Sequence, residues 1–316
     1  MSETIEASIH VTLPELIRLQ ADARALRLPG ARPVRSRQPG FQRSARRGRG
    51  MAFAEVRLYQ PGDDIRSIDW RVTARRQTPH TKLYEEERER PILLVCDLGP
   101  SLFFASQGAY KQVRCAQLAA ILAWLALGAG DQVGGIVCDG LQVVVQRPAR
   151  RKKAVLQLLD TLARLQRQAP GPVGAGPVTD QQSGGLDQAL QEARRVAHTG
   201  SRIFVISDFM TTSPETTTLL GALSRHNNVH ALRIVDPLEQ HLPDSGRFAV
   251  AGPEGPIWFN AGDRQFREAW AGRLDRHEQA LATCFRTAGV LPAVVSTIDA
   301  PAHSLQGLLG PRGRID

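Results

Sequence analysis

Short apolar runs alternate with longer helical patterns from residue 91 onward, and this alternation limits the fold more than any other feature of the sequence. The runs that we predict to be strands are Ile92–Cys96, Gln132–Cys138, Leu141–Val145, Ile203–Ile206, His230–Val235 and Ala293–Val295. The predicted helices are Ala109–Leu127, Lys152–Gln166, Leu186–His198, Pro214–His226 and Arg264–Ala288. This pattern is typical of a doubly wound, mostly parallel α/β sheet, and near-continuous apolar strands indicate that both of its faces are covered.

The first 90 residues have a different character. Residues 9–28 place Leu and Ile at near-helical spacing, and an arginine-rich stretch and a dense polar motif follow them. We therefore predict an N-terminal section at residues 1–90 and an α/β domain at residues 91–316. Within the α/β domain, we expect an exposed loop at Gln168–Gly185 and an added hairpin at Gly246–Asn260.

Charge is concentrated in an arginine arm near the N-terminus. The chain carries a formal net charge of +9, which suits an acidic partner such as nucleic acid, anionic lipid or an acidic protein surface. The only aromatic residue within the arm is Phe41, and no helix-turn-helix or RNA-recognition signature accompanies it, so we favour a solvated or partner-binding tail over a nucleic-acid-binding one. The arm comprises Arg24, Arg27, Arg32, Arg35, Arg37, Arg43, Arg46, Arg47 and Arg49.

Other features of the sequence favour a folded cytoplasmic protein without a membrane span. The acidic start of the chain lacks the basic and apolar regions of a secretory signal. Cys115–Gly130 is shorter than the roughly 20 apolar residues that a span requires, so we predict a buried helix there. None of the cysteines forms a CxxC pair, which indicates reduced thiols; they are Cys96, Cys115, Cys138 and Cys284.

Two predicted strands end in acids with hydroxyl neighbours. Asp97 ends the first strand and is followed by a turn with Ser101, and Asp208 follows the strand Ile203–Ile206 through Ser207. Ligands of open α/β sheets collect in the crevice beyond the carboxyl ends of the strands. Oxygen donors of this kind are the ligands that Mg²⁺ prefers, so these residues form a candidate divalent-cation site.

This pattern resembles the metal-ion-dependent adhesion site of the von Willebrand factor A fold, in which Asp-x-Ser-x-Ser, a Thr and a later Asp hold the metal. Asp97, Ser101 and Asp208 match that pattern, but Gly99 replaces the first Ser and Leu186 stands where Thr is expected. The resemblance thus implies a degenerate site with Mg²⁺ as its candidate cofactor. Alternatively, the two acids accept backbone N–H bonds in turns and at helix N-termini.

A second motif is rich in alternating charges. Within the run from Gly48 to Arg76, Pro61-Gly62 predicts a tight turn, and acids alternate with arginines that can hold carboxylates in bidentate geometry. We expect Tyr59 and Trp70 to anchor this turn to the core. The run is a candidate partner-binding surface or a purely architectural corner. Its candidate contact residues are Asp63, Asp64, Arg66, Asp69 and Trp70.

This run closely resembles domain-of-unknown-function family number fifty-eight, as do Gly130–Gly134, Val205–Phe209 and Asp236–Glu239. Members of that family carry a von Willebrand factor A-like domain and are typically encoded beside MoxR-type AAA+ ATPases. The resemblance implies a non-catalytic adaptor for such an ATPase and its client protein.

Two alternatives from other functional classes stay open. One is a nucleic-acid-binding protein that uses the arginine arm, and the other is a divalent-metal-dependent hydrolase. The sequence contains no GxSxG, HExxH or P-loop motif, so the usual parts for hydrolysis or nucleotide chemistry are absent from it. We therefore predict that the protein is not an enzyme.

Overall fold

The computed structural model describes residues 9–26, 51–60, 65–86, 91–168, 185–252 and 255–309. The strands are β1 (Met51–Leu58), β2 (His80–Glu86), β3 (Ile92–Asp97), β4 (Val133–Cys138), β5 (Val143–Ala149), β6 (Arg202–Ser207), β7 (Asn228–Val235), β8 (Arg247–Gly252), β9 (Gly255–Asn260) and β10 (Leu291–Ser296). The α-helices are α1 (Leu13–Arg18), α2 (Gln20–Arg24), α3 (Trp70–Arg76), α4 (Lys111–Gly128), α5 (Lys152–Gln168), α6 (Gly185–Val196), α7 (Pro214–Ser224), α8 (Pro237–Gln240), α9 (Arg264–Ala288) and α10 (Pro301–Leu309).

The chain divides into two compact units. The larger unit joins the N-terminal segment through Arg32 with everything from Arg90 onward, and the smaller unit is Pro33–Glu89. This division differs from the expected single section at residues 1–90, because α1 and α2 pack on the larger unit. There the indole N–H of Trp124 in α4 donates to the carbonyl of Leu16 at 3.1 Å.

A six-stranded sheet organises the larger unit, with its strands in the order β10-β7-β6-β3-β4-β5. All neighbouring strands are parallel except β4 and β5, which a short turn joins without a crossover helix. From β3 the chain continues to β4 on one side, and from β6 it continues to β7 on the other, so the order in which strands are added switches between β3 and β6 although the two strands are parallel. The six predicted strands all lie in this sheet, and the predicted doubly wound, mostly parallel fold is confirmed.

Both faces of the sheet are buried along the central strands β3, β4 and β6. Along β3, Leu94 and Cys96 belong to an apolar core with α1, α2, α4, α5 and α10, whereas Leu93 and Val95 belong to a second core with α6, α7 and α9. This alternation follows from the two-residue period of a strand. It explains why the interiors of the central strands β3, β4 and β6 are apolar, as the sequence indicated.

The helix α4 is buried almost all round, from Val113 to Ala126 with the exception of Gln117. It lies between the sheet and α1, α2, α5 and α10, which accounts for its even apolar composition. The predicted buried helix at Cys115–Gly130 is therefore confirmed. In the described part of the chain, no helix combines the length and apolarity that crossing a membrane requires.

Both units contain a two-stranded antiparallel sheet. In the smaller unit β1 and β2 pair antiparallel, and in the larger unit β8 and β9 do the same. The second pair lies within the predicted hairpin Gly246–Asn260, and Phe259 of β9 stacks on Phe266 of α9 with ring centroids 5.0 Å apart. The predicted loop Gln168–Gly185 and the arginine arm fall almost entirely outside the described residues.

The contact between β4 and α5 provides a test of the packing. A Cβ atom at Gly135 would lie 2.3 Å from Cδ1 of Leu158, so we expect Gly135→Ala to lower the free energy of unfolding by about 1–3 kcal/mol through overpacking. Urea unfolding measures this change. Gly272→Ala in α9 is the control, because open space surrounds Gly272 and alanine should raise helix stability by up to about 1 kcal/mol. Equal stability of Gly135→Ala and the wild type would contradict this packing.

Candidate functional site

Four neighbouring parallel strands each lead into an aspartate. Asp97 ends β3, and Asp139, Asp208 and Asp236 directly follow β4, β6 and β7. Because parallel strands run in one direction, these acids lie along one edge of the sheet, here called the strand-end rim. All four are buried. A buried carboxylate requires hydrogen-bond or ion-pair partners, so the partners of these four acids decide which chemistry the rim can carry out.

Asp97 lies beside the point between β3 and β6 where the strand order switches. Its Oδ1 accepts from the backbone N–H of Gly99 at 2.9 Å, and its Oδ2 accepts from the hydroxyl of Ser207 on the adjacent β6 at 2.6 Å. Burial raises the pKa of Asp97 to about 6, the negative charge of Asp208 adds to the rise, and the two hydrogen bonds oppose it.

Asp208 has a buried ammonium group as its main partner. The Nζ of Lys111 lies 2.8 Å from Asp208 Oδ2 and 2.6 Å from Glu239 Oε1. The other oxygen, Asp208 Oδ1, accepts from the hydroxyl of Ser101 and from the backbone N–H of Met210, both at 3.1 Å. Burial lowers the pKa of Lys111, but the charges of Asp208 and Glu239 outweigh burial and hold it above its ordinary value, so the ammonium stays protonated.

Asp236, which follows β7, accepts several hydrogen bonds from neighbouring loops. Its carboxylate accepts from the backbone N–H and hydroxyl of Ser106 at 2.8 and 2.5 Å, from the N–H of Leu238 at 2.9 Å, and from the hydroxyl of Thr297 at 2.8 Å. Burial raises the pKa of Asp236, but these hydrogen bonds outweigh it and leave the pKa below its ordinary value. Glu239 accepts from the N–H of Asp236 at 3.0 Å, which links this loop to Lys111.

Asp139 closes the turn between β4 and β5. Its Oδ1 accepts from the backbone N–H groups of Leu141 and Gln142, each at 2.9 Å, and its Oδ2 accepts from the side-chain amide of Gln142 at 3.1 Å. The acids at the ends of β3, β4, β6 and β7 therefore hold the loops that follow the strands.

The three residues predicted as a cation site do come together, but their surroundings do not fit Mg²⁺. Lys111 neutralises Asp208, and the two positions that depart from the adhesion-site pattern bring no oxygen ligand. The first of these positions is Gly99, where a Cβ would lie 3.0 Å from Asp97 Oδ1. The second is Leu186, whose side chain is buried in the second apolar core. Among the described residues, no group of three or more His, Cys, Asp or Glu side chains is arranged to hold a metal ion.

The second motif is described only in part, because Asp63 and Asp64 lie outside the described residues. Asp69 is the N-cap of α3, where its carboxylate accepts from the N–H groups of Arg71 and Val72. The expectation that Trp70 anchors the turn to a core is wrong, since its side chain is 66% exposed. It is the first residue of α3, directly after the cap. Arg66 is also exposed.

Sequence reasoning missed the residues that complete the rim. Asp139 and Asp236 could have been found, because each directly follows a predicted strand, as Asp97 and Asp208 do. Lys111 carried no such signal. A lysine at the start of an apolar helix is ordinarily expected to reach solvent, and only the packing shows that it is 1% exposed.

The fold and the rim define a doubly wound α/β domain whose strand-end crevice is closed by its own hydrogen bonds and ion pairs. Residues 55–280 match the family described as "Protein of unknown function DUF58". The chain belongs to this family, as the motifs of the sequence indicated.

Relatives and solved structures add further similarities. The uncharacterized protein Rv1480 of Mycobacterium tuberculosis and the uncharacterized protein Mb1516 of Mycobacterium bovis are each 31% identical over 244 residues, which cover 77% of this chain and 73% of each relative. The chain is also similar to the crystal structure of the conserved hypothetical protein BatB from Bacteroides thetaiotaomicron, at 13% identity and a TM-score of 0.42, covering 68% of this chain and 94% of that one. The SpRpn10 VWA domain is similar at 8% identity and a TM-score of 0.38, over 72% of this chain and all of that domain.

The raised pKa of Asp97 makes the stability of the protein depend on pH. In the unfolded chain its pKa is the ordinary 3.8, so between about pH 4 and pH 6 the folded state keeps a proton that the unfolded state has lost. This contribution is present near pH 4 and disappears as the pH rises through 6, by up to roughly 3 kcal/mol. We expect Asp97→Asn, which loses no proton, to gain that amount relative to the wild type between about pH 4 and pH 7.

Urea unfolding of both proteins at the two pH values measures the difference. The exposed Asp160 on α5 supplies the matched Asp→Asn control. A stability difference between Asp97→Asn and the wild type that does not change with pH would contradict the raised pKa.

Proposed function

We propose that this chain is a non-catalytic interaction module that binds a partner protein through the carboxyl edge of its sheet and through the segment around Trp70. The observation that carries this proposal is the position of exposed apolar side chains. Leu141, Met210 and Ile298 are all exposed, and they stand in the loops that follow β4, β6 and β10. Single exposed apolar residues are ordinary, but these three share one edge of the sheet.

Hydrogen bonds from these loops to the rim hold the loop backbone in place before a partner binds. The carboxylates of Asp139 and Asp208 accept hydrogen bonds from the backbone N–H groups of Leu141 and Met210 themselves. A loop that is already held in place loses less conformational entropy when a partner binds. The buried acids therefore support recognition without needing to touch the partner.

The segment around Trp70 supports the proposal in the smaller unit. Tryptophan and arginine are the residue types most enriched at binding hot spots, and both Trp70 and Arg66 are exposed. Asp69 fixes the start of α3 and with it the position of Trp70. Asp63 and Asp64, which the sequence also assigned to this surface, belong to the same proposed contact.

The partner that we propose is a MoxR-type AAA+ ATPase, acting together with its client protein. Membership of the family supports this choice, because genes of the family typically stand beside genes for such ATPases. Cytoplasmic placement belongs to the same proposal, since the four cysteines are buried free thiols and suit a reducing compartment.

Binding of the full-length chain to the MoxR-type ATPase encoded beside its gene tests the proposal. We expect the two proteins to copurify in the presence of nucleotide, and we expect Trp70→Ala and Met210→Ala each to weaken binding about tenfold or more, because truncating a buried interface anchor costs at least about 1.4 kcal/mol. Calorimetry or surface plasmon resonance measures the affinity.

Trp258→Ala is the matched control, since Trp258 in β9 is 63% exposed and thus similar to Trp70 in type and exposure. The proposed surface is wrong if Trp258→Ala weakens binding while the other two variants bind normally. If the ATPase does not bind but duplex or single-stranded nucleic acid does, in a salt-dependent gel shift, the alternative function through the arginine arm replaces this one.

A further inference from the structure

We propose that the ammonium group of Lys111 is the resident cation of the strand-end rim, and that it takes the structural place of the divalent ion expected at Asp97, Ser101 and Asp208. Recognition at this edge of the sheet is then independent of metal. The inference concerns the rim alone and does not depend on which partner the protein binds.

The contacts of Lys111 are those of an ion that joins separate loops. Its Nζ bridges Asp208, which follows β6, and Glu239, which lies in α8 after β7. Asp208 in turn accepts from Ser101 in the loop after β3. One cation therefore connects three strand-end loops, a role that oxygen ligands around a metal ion would otherwise perform.

The position of Lys111 in its helix is unfavourable without these acids. It is the first residue of α4, where the helix dipole disfavours a positive charge, and it is 1% exposed, so its ammonium has lost its hydration. Neither helix propensity nor solvent contact explains a lysine at this position. The two carboxylates do, because each neutralises and hydrogen-bonds the buried charge.

Lys111 and a metal ion exclude each other at Asp208. An ion bound at Asp208 Oδ2 would lie close to the ammonium, and the two positive charges would repel strongly in a buried environment. Each oxygen of Asp97 already accepts a hydrogen bond, from Gly99 or Ser207, so an ion there would have to share these acceptors. Removing the lysine side chain would leave two carboxylates and an open volume between them.

Thermal unfolding of the full-length chain in chelator, in millimolar Mg²⁺ and in millimolar Mn²⁺ tests the proposal. We expect the Tm of the wild type to be the same in all three conditions. Lys111→Ala should unfold several degrees lower in chelator and recover part of that loss in Mn²⁺, because an ion can then neutralise the two acids. The double variant Lys111→Ala with Asp208→Asn should lose this recovery.

Lys152→Ala is the matched control, because Lys152 is also the first residue of a helix but is exposed, and we expect no response to either ion. A folded Lys111→Ala variant whose Tm does not respond to Mn²⁺ would overturn the proposal. Calorimetric titration of the wild type with Mn²⁺ gives an answer even if Lys111→Ala does not fold. We expect the wild type not to bind Mn²⁺. If it does bind Mn²⁺ and Asp208→Asn abolishes that binding, the ion and the lysine coexist and the proposal is overturned.

Discussion

In the central strands of the sheet, burial of both faces confines polar side chains to the strand ends. The interior positions of β3, β4 and β6 pack against helices on one side or the other, so these strands can present polar side chains only where they end. The switch in strand order between β3 and β6 opens a crevice at that point. Asp97 and Asp208 lie there because of this topology.

The groups that lie in the crevice then decide which chemistry is possible there. In this chain, hydroxyl groups, backbone N–H groups and the ammonium of Lys111 satisfy the acids. Breaking one such buried pair is costly, because the remaining charge stays buried without a partner. The network therefore ties the strand-end loops to the sheet, and the backbone N–H groups of the exposed Leu141 and Met210 donate to Asp139 and Asp208.

The smaller unit offers a second kind of surface. Asp69 caps the N-terminus of α3, whereas the neighbouring Trp70 is exposed. One short motif thus combines an architectural residue with a residue suited to binding. The interpretation as a corner fits Asp69, and the interpretation as a contact surface is the one proposed for Trp70.

The sequence alone determined the strands, most of the helices and the acids at the strand ends, because apolar periodicity reports directly on which side of a local element is buried. The same rule could have identified Asp139 and Asp236. Only the tertiary structure decided the order of the strands, the burial of Leu186 in the core, the exposure of Trp70 and the pairing of Lys111 with Asp208 and Glu239. Lys111 and these two acids are about a hundred residues or more apart in the chain. Local sequence patterns carry no information about such partners, because the packing of whole elements brings them together.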